Sequence, residues 1–208
     1  MKQSSFNAFG QKREGFGGRH IPVWLGTVTP YPVGGSLAKA YVKAGLLLPA
    51  GTPIQLKDRV ITPALVYTVK AYASGVLTID PSEHPGFTPG KDMYVRLVGD
   101  TFPAGDGVKV TDASANAATP SQLDLTATVA SAKAGSKVII SAEANVTPNA
   151  YLYNDIYLGD IDADDEGAGA SGAAVMSHAE GILIDRTPSA DIAAAMKAAV
   201  PGVIQVNG

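Results

Sequence analysis

Apolar and polar positions along this chain fall into short runs separated by glycines and prolines, and only the C-terminal end holds helical spacing. Leu123-Asp124-Leu125-Thr126-Ala127-Thr128-Val129 alternates apolar and polar with period two, as a half-buried strand does. Val60-Ile61-Thr62-Pro63 and the stretch from Ala64 to Tyr72 are rich in β-branched and aromatic residues and read as strands, as does Met93 to Val98. Val76-Leu77-Thr78-Ile79 follows Ser74-Gly75, which predicts a hairpin. Ile21–Val28 reads as the entry into the folded body, and further β segments are expected at Ala150–Leu158, Gly181–Asp185 and Val203–Val206.

One phrase occurs three times: Ala50-Gly51-Thr52-Pro53-Ile54-Gln55-Leu56, Ala104-Gly105-Asp106-Gly107-Val108-Lys109-Val110 and Ala134-Gly135-Ser136-Lys137-Val138-Ile139-Ile140. In each, an Ala-Gly step and two turn-type residues lead into a β-branched or apolar stretch. Glycine permits the positive φ of a tight turn, and the residues after it suit a pleated surface. The copies are unequally spaced, so they mark no solenoid or shaft repeat.

Two helices are predicted. A short one covers Leu37 to Ala44 and stops at Gly45. The other has Thr187 as N-cap, Pro188 in its first turn and Asp191 near the positive end of its dipole. Ile192, Ala195, Met196 and Ala199 line one face of it, and Pro201-Gly202 ends it. Asp80–Lys91 and the acidic, glycine-rich run Asp160–Gly172 read as loops, and residues 111–121 as a linker or long surface loop.

The pattern therefore predicts a mainly β (α+β) protein. It would consist of compact β-sandwich or barrel-like modules with short turns, an extended N-terminal arm and one short C-terminal helix. The boundaries fall at an arm of residues 1–20, a β-rich domain of 21–115 and a second of 116–208, and the last two are also compatible with one continuous domain.

Composition sharpens this picture at three points. Charged residues make up only 17% of the 208, which suits a surface partly covered by copies of itself or by a partner. The net charge of −3 argues against duplex nucleic acid as a partner. With no cysteine, disulfides, thiolate catalysis and cysteine metal sites are excluded together. The first 20 residues carry no signal-peptide pattern, and no apolar run approaches the ~18 residues that would span a bilayer.

Motifs of catalysis are weak. Asp160, Asp162 and Asp164 begin like a calcium loop, but Asp165 stands where glycine belongs and Ser171 where a bidentate glutamate belongs. His20, His84 and His178 are far apart; His178-Ala179-Glu180 places two ligand types on one strand face, which is too few for a zinc site. Gly15-Phe16-Gly17-Gly18 lacks the flanking strand, the helix and the Gly-Lys-Ser/Thr ending of a phosphate loop. These readings point away from an enzyme and imply neither cofactor nor metal.

The arm is distinctive. Lys2, Lys12, Arg13 and Arg19 stand against Glu14, so residues 1–20 carry about +3 and the remainder about −6. Phe6, Phe9 and Phe16 are interleaved with the charges. Aromatic anchors among steering charges suit an arm that orders on a partner. Phe6, Phe9, Arg13, Phe16, Arg19 and Trp24 are the candidate contact residues.

The arm, the segment Leu48-Pro49-Ala50-Gly51-Thr52-Pro53-Ile54-Gln55-Leu56-Lys57-Asp58, and the ending Gly181-Ile182-Leu183-Ile184-Asp185-Arg186-Thr187 followed by Val200-Pro201-Gly202-Val203-Ile204 together resemble capsid auxiliary proteins of tailed bacteriophages. The likeness is to the head fiber or head-decoration proteins of phages and prophages of Bacteroides-type hosts, including crAss-like phages. That resemblance implies a β-rich virion protein on the capsid exterior, bound to the major capsid protein and homo-oligomeric, with a trimer favoured. It also implies an N-terminal arm that grips the capsid lattice. The chain lacks the repeat or coiled coil of a shaft, so a compact decoration protein or fiber base fits better than a long fiber. A glycan- or cell-surface-binding β-module, with Tyr151, Tyr153 and Tyr157 as stacking platform, is the alternative, and a hydrolase a weaker one.

Overall fold

All three Ala-Gly phrases turn where the sequence places a turn. Gly51, Gly105 and Gly135 have φ of +80°, +90° and +85°, and each delivers the chain into a strand within three residues. The computed structural model describes residues 23–30, 34–113, 122–158, 171–172 and 174–207. The strands begin with β1 (Trp24–Pro30), β2 (Gly35–Leu37), β3 (Leu47–Leu48), β4 (Pro53–Lys57) and β5 (Val60–Pro63). Next come β6 (Leu65–Thr68), β7 (Ala71–Ala73), β8 (Val76–Thr78), β9 (Tyr94–Val98), β10 (Val108–Ala113) and β11 (Gln122–Leu125). The last are β12 (Lys137–Ser141), β13 (Ala150–Leu152), β14 (Ile156–Tyr157), β15 (Ser171–Gly172), β16 (Ala174–Leu183) and β17 (Val203–Val206). The one α-helix among the described residues, α1, spans Ala193–Ala199. The protein is mainly β, as its pattern predicts.

A seven-stranded sheet runs β6-β12-β9-β10-β11-β8-β7 with antiparallel pairing throughout. Its two end strands, β6 and β7, are consecutive in the chain. Between them the Val69 amide donates to Ser136 O at 2.9 Å on one side, and the Lys70 amide donates to Thr78 O at 2.8 Å on the other. Residues 65–73 thus act as one bent strand shared by both ends of the sheet, and the outer edge of β6 is met by side chains, with Glu83 accepting from the Thr68 amide and His84 Nε2 donating to Val66 O. Tyr67, Val69, Leu77, Val95, Val110, Leu123, Val138 and Ile140 alternate into one core cluster. The β7–β8 hairpin turns on Ser74 (φ +52°) and Gly75 (φ +83°), the two positive φ values of a type I′ turn.

The second large sheet runs β1-β16-β13-β4-β5-β2-β15, with β17 lying parallel beside β16 as its eighth strand. A third pairs β14 with β3. Every one of these sheets joins strands from before residue 115 to strands after it. The boundary expected at 115 therefore does not separate two sets of strands, because pairing across the chain links them.

A second core lies between the β1/β16/β17 region, α1 and the outside of the seven-stranded sheet. It contains Val66, Ile139, Val146, Tyr151, Ile182, Ile192, Met196 and Val203.

Two helical expectations change. Instead of a helix at Leu37–Ala44, Leu37 pairs with Ile61 in β5, and only Lys39–Tyr41 makes a 3₁₀ turn. The parallel pairing and the full burial of Tyr41 outweigh local propensity: its hydroxyl donates to Pro63 O (3.0 Å) and accepts from the Ala142 amide (2.8 Å). Gly45 still ends the segment, at φ +75°. At the C-terminus two 3₁₀ turns, Ile184–Arg186 and Ala190–Ile192, precede a shorter α1. Thr187 does not cap it: its hydroxyl donates to Ile184 O (2.8 Å) and accepts from the Ser189 amide (3.2 Å). Asp191 is drawn to Lys137, at 2.6 Å.

The glycines of the repeated phrase differ in surroundings. A Cβ at Gly51 would sit 2.5 Å from Thr187 Cγ2, whereas Gly105 and Gly135 have open space. Gly105→Ala and Gly135→Ala should each cost about 1–2 kcal/mol for the left-handed backbone alone. Gly51→Ala should cost clearly more. Urea unfolding midpoints of the three variants test that order.

Candidate partner-binding site

Strand β1 begins where the arm ends, and Trp24 is its first residue. The indole is half-buried. Its Nε1–H donates to Tyr153 O at 2.9 Å. Its ring meets the edge of Tyr151 at 6.2 Å between centroids and lies tilted against Tyr153 at 6.0 Å. One residue earlier, buried Val23 accepts a 2.7 Å hydrogen bond from the Leu183 amide. The chain is thus fixed by backbone and aromatic contacts at the point where the arm meets the body. The other candidate contact residues, Phe6, Phe9, Arg13, Phe16 and Arg19, lie outside the described residues, as do His20, Asp160, Asp162 and Asp164.

The three tyrosines do not form one stacking platform. Tyr151 is fully buried in the second core, where its hydroxyl accepts from Gln205 Nε2 at 3.1 Å. Burial pushes its pKa up to about 12, against the opposing effect of the Gln205 hydrogen bond. Tyr153 packs on Trp24, and Tyr157 is 52% exposed on the small two-stranded sheet.

His84 is buried, with Nε2 2.8 Å from Val66 O; a carbonyl only accepts, so this nitrogen carries the proton. The imidazole and Tyr67 rings meet edge-on at 4.7 Å. Neighbouring Glu83 accepts from the Thr68 amide at 2.8 Å, which pins the 3₁₀ turn Pro81–Glu83 over the bent strand. His178 pairs across the sheet with Thr29, and Glu180 is exposed beside it on β16. Among the described residues no group of three histidine, cysteine or acidic side chains is placed to hold a metal ion. Nor is any described helix long and apolar enough to cross a membrane.

Sequence reasoning passes over Arg96. It lies in β9 at 3% exposure, opposite Ile139, and borders an open groove of about 390 Å³ whose walls include Leu97, Thr101, Val108 and Val129. Its guanidinium donates from Nη1 to Val146 O at 2.6 Å and from Nη2 to Pro103 O. Burial lowers its pKa from the ordinary value, and the charge of Asp106 pushes it back. Arg96 ties two loops to the wall of the seven-stranded sheet, a structural use of a buried cation whose donors are met by carbonyls. A lone arginine inside Met93–Val98 is the signal that would have found it.

No protein-family model, curated protein or solved structure matches the chain.

Replacing Trp24 with Phe removes the bond to Tyr153 O while keeping the ring, and should cost about 1 kcal/mol by urea unfolding. Trp24→Ala should cost about 3 kcal/mol or more. For His84, burial holds the folded pKa below the 6.5 of the free side chain, while the Val66 bond and the Glu83 charge act the other way. The unfolded chain therefore takes up the proton first, so His84's contribution is intact above pH 6.5 and is lost as pH falls through the folded value. Between pH 7.5 and 5.5 the unfolding midpoint of the native chain should fall more steeply than that of His84→Gln. Parallel curves would remove His84 from the pH response.

Proposed function

We propose that this chain is a structural protein of a virion that decorates or stabilises the outside of a tailed-phage capsid by binding the major capsid protein, as a compact decoration protein or the base of a head fiber. The observation that carries the reading is the junction of arm and body. An arm of about +3 with three phenylalanines runs directly into Val23 and Trp24, which are held by the Leu183 amide and the Tyr151–Tyr153 pair. A tether loaded through that junction pulls on the eight-stranded sheet rather than on a loose end. The resemblance of the chain's Leu48–Asp58 and Gly181–Ile204 phrases to head-decoration proteins supports the same reading, as does the low charge content.

Binding in this scheme comes from many copies. Each arm contributes a modest contact, and a homo-oligomer, a trimer by preference, multiplies it through effective concentration. The basic groups steer the arm toward an acidic surface, and the phenylalanines supply the buried area.

Protein lacking residues 1–20 should keep its β-rich circular dichroism and melting transition but cosediment with phage heads at least tenfold less than the full chain. Undiminished cosedimentation would move the contact to the body. A full-length monomer with no head association would overturn the proposal.

A further inference from the structure

Between β8 and β9 the chain leaves the sheet and crosses the outer edge of β6. There the 3₁₀ turn Pro81–Glu83 and His84 stand where a neighbouring strand would stand. Glu83 accepts from the Thr68 amide, and His84 Nε2 donates to Val66 O, each at 2.8 Å. The turn is braced from within, since Asp80 Oδ1 accepts from the Ser82 amide and hydroxyl at 3.0 and 2.5 Å. Its hold on the body is light: besides those two side chains, the Leu47 amide donates to Pro85 O at 3.4 Å, and Ser82, Glu83 and Pro85 are exposed. The residues that follow are fixed far more firmly. A Cβ at Gly86 would stand 2.0 Å from Gly45 O, and buried Phe87 stacks on Tyr41 at 5.3 Å.

We propose that Pro81–Pro85 is an acid-released cover of the β6 edge, closed while His84 is neutral and lifted when His84 takes up a proton, with Gly86 and Phe87 staying docked as its pivot. His84 is 5% exposed, and its ring meets Tyr67 edge-on at 4.7 Å. A neutral imidazole is satisfied there by one carbonyl, whereas an imidazolium gives up its water and brings a second N–H donor. The groups that face this corner come from five places. Glu83 is on the turn itself, Tyr67 on β6 and Tyr41 on the 3₁₀ turn Lys39–Tyr41, with Lys43 over the Phe87 ring at 5.3 Å. Lys70 pairs with Asp80 at 3.6 Å, and Lys137 of β12 reaches Thr68 Oγ1 at 2.8 Å and Asp191 at 2.6 Å. Burial raises both tyrosines well above their usual range, so they stay neutral. For His84, burial is the largest influence and disfavours the charged form; the Val66 carbonyl and the Glu83 charge favour it without overcoming burial.

Lifted into water, the imidazole regains its ordinary affinity for the proton, so proton uptake favours the open form. The cover is firm above pH 6.5 and loosens as pH falls through the folded value. Few contacts hold it, so it opens locally while the sheet stays paired. Opening bares the Thr68 amide and the Val66 carbonyl, backbone groups that an added strand can pair with. This inference goes beyond the proposed function and does not require it.

Amide hydrogen exchange of the full chain at pH 7.5 and 5.0, corrected for the intrinsic pH dependence, tests this. Exchange at the Thr68 amide and across 82–84 should be at least about threefold faster at pH 5.0, with β13 unchanged. In His84→Gln, whose side-chain amide can donate to Val66 O without titrating, the acceleration should vanish. Equal protection of the native chain at the two pH values would overturn the proposal. An undiminished acceleration in His84→Gln would overturn the role of His84, and equal acceleration at β13 would show global rather than local opening. Histidine-ring NMR of the unsubstituted chain gives a second readout that needs no variant. The hydrogen-bonded Nε2–H of His84 should be lost over the same pH range as Thr68 protection, and its persistence at pH 5.0 would overturn release. Neither measurement involves a phage head, so failure of the capsid reading leaves both intact.

Discussion

The structure depends on one wall that is buried from both sides. Strands β6 and β12 pair through Leu65–Thr68 and Lys137–Ser141, and their apolar residues go alternately to two different cores. Leu65, Tyr67, Val138 and Ile140 fill the core of the seven-stranded sheet, while Val66 and Ile139 face α1 and the β1/β16/β17 region. Continuous apolar runs such as Val138-Ile139-Ile140 make sense only in this setting, since a strand with one wet face would alternate with polar residues. Removing a side chain from this wall would disturb packing on the adjacent core as well, because the backbone carrying it is shared.

Between the strands, long loops are held by polar side chains that act on backbone groups. Asn149 both accepts from the Leu56 amide and donates to Leu56 O, at 2.8 and 3.0 Å, and so continues the sheet by one side chain. Ser189 donates to Gly51 O at 2.6 Å, Asp155 accepts from the Ala50 amide at 2.6 Å, and Arg96 reaches two carbonyls. The Gly51 and Val146 carbonyls met by Ser189 and Arg96 are buried, and leaving either unpaired would cost about 1–3 kcal/mol. This stitching explains how short strands, several of two or three residues, are kept in register. It also explains why the Gly51 region tolerates no side chain: the Ala50–Gly51 step is gripped by Asp155, Ser189 and Thr187 at once.

The same economy of contacts fixes the start of the described body. The body offers a rigid mount: Trp24 is held between Tyr151 and Tyr153, and β1 is fixed along most of its length to the ten-residue β16. On the side facing away from α1, Leu25 and Ile204 are 39% and 58% exposed, while Val23 and Leu183 are buried.

Turn chemistry was legible in the sequence. Positive φ at Gly51, Gly75, Gly105 and Gly135, the hairpin at Ser74-Gly75 and the stops at Gly45 and Pro201-Gly202 follow from local sterics, which need no distant partner. The β class was legible for the same reason, since period-two and β-branched runs report on the residues that carry them. Helix lengths were not: Leu37 is taken by β5 and Thr187 by Ile184 and Ser189, contacts whose strength outweighs propensity. The packing of Trp24 depends on Tyr151 and Tyr153, more than a hundred positions away, and a local reading does not reach them. The joining of β6 to β7, the burial of Arg96 and His84, and the exposure of Leu25 and Ile204 were likewise decided by tertiary structure alone. Which face of a strand is covered depends on what packs there, and one sequence specifies the alternation without naming the neighbour.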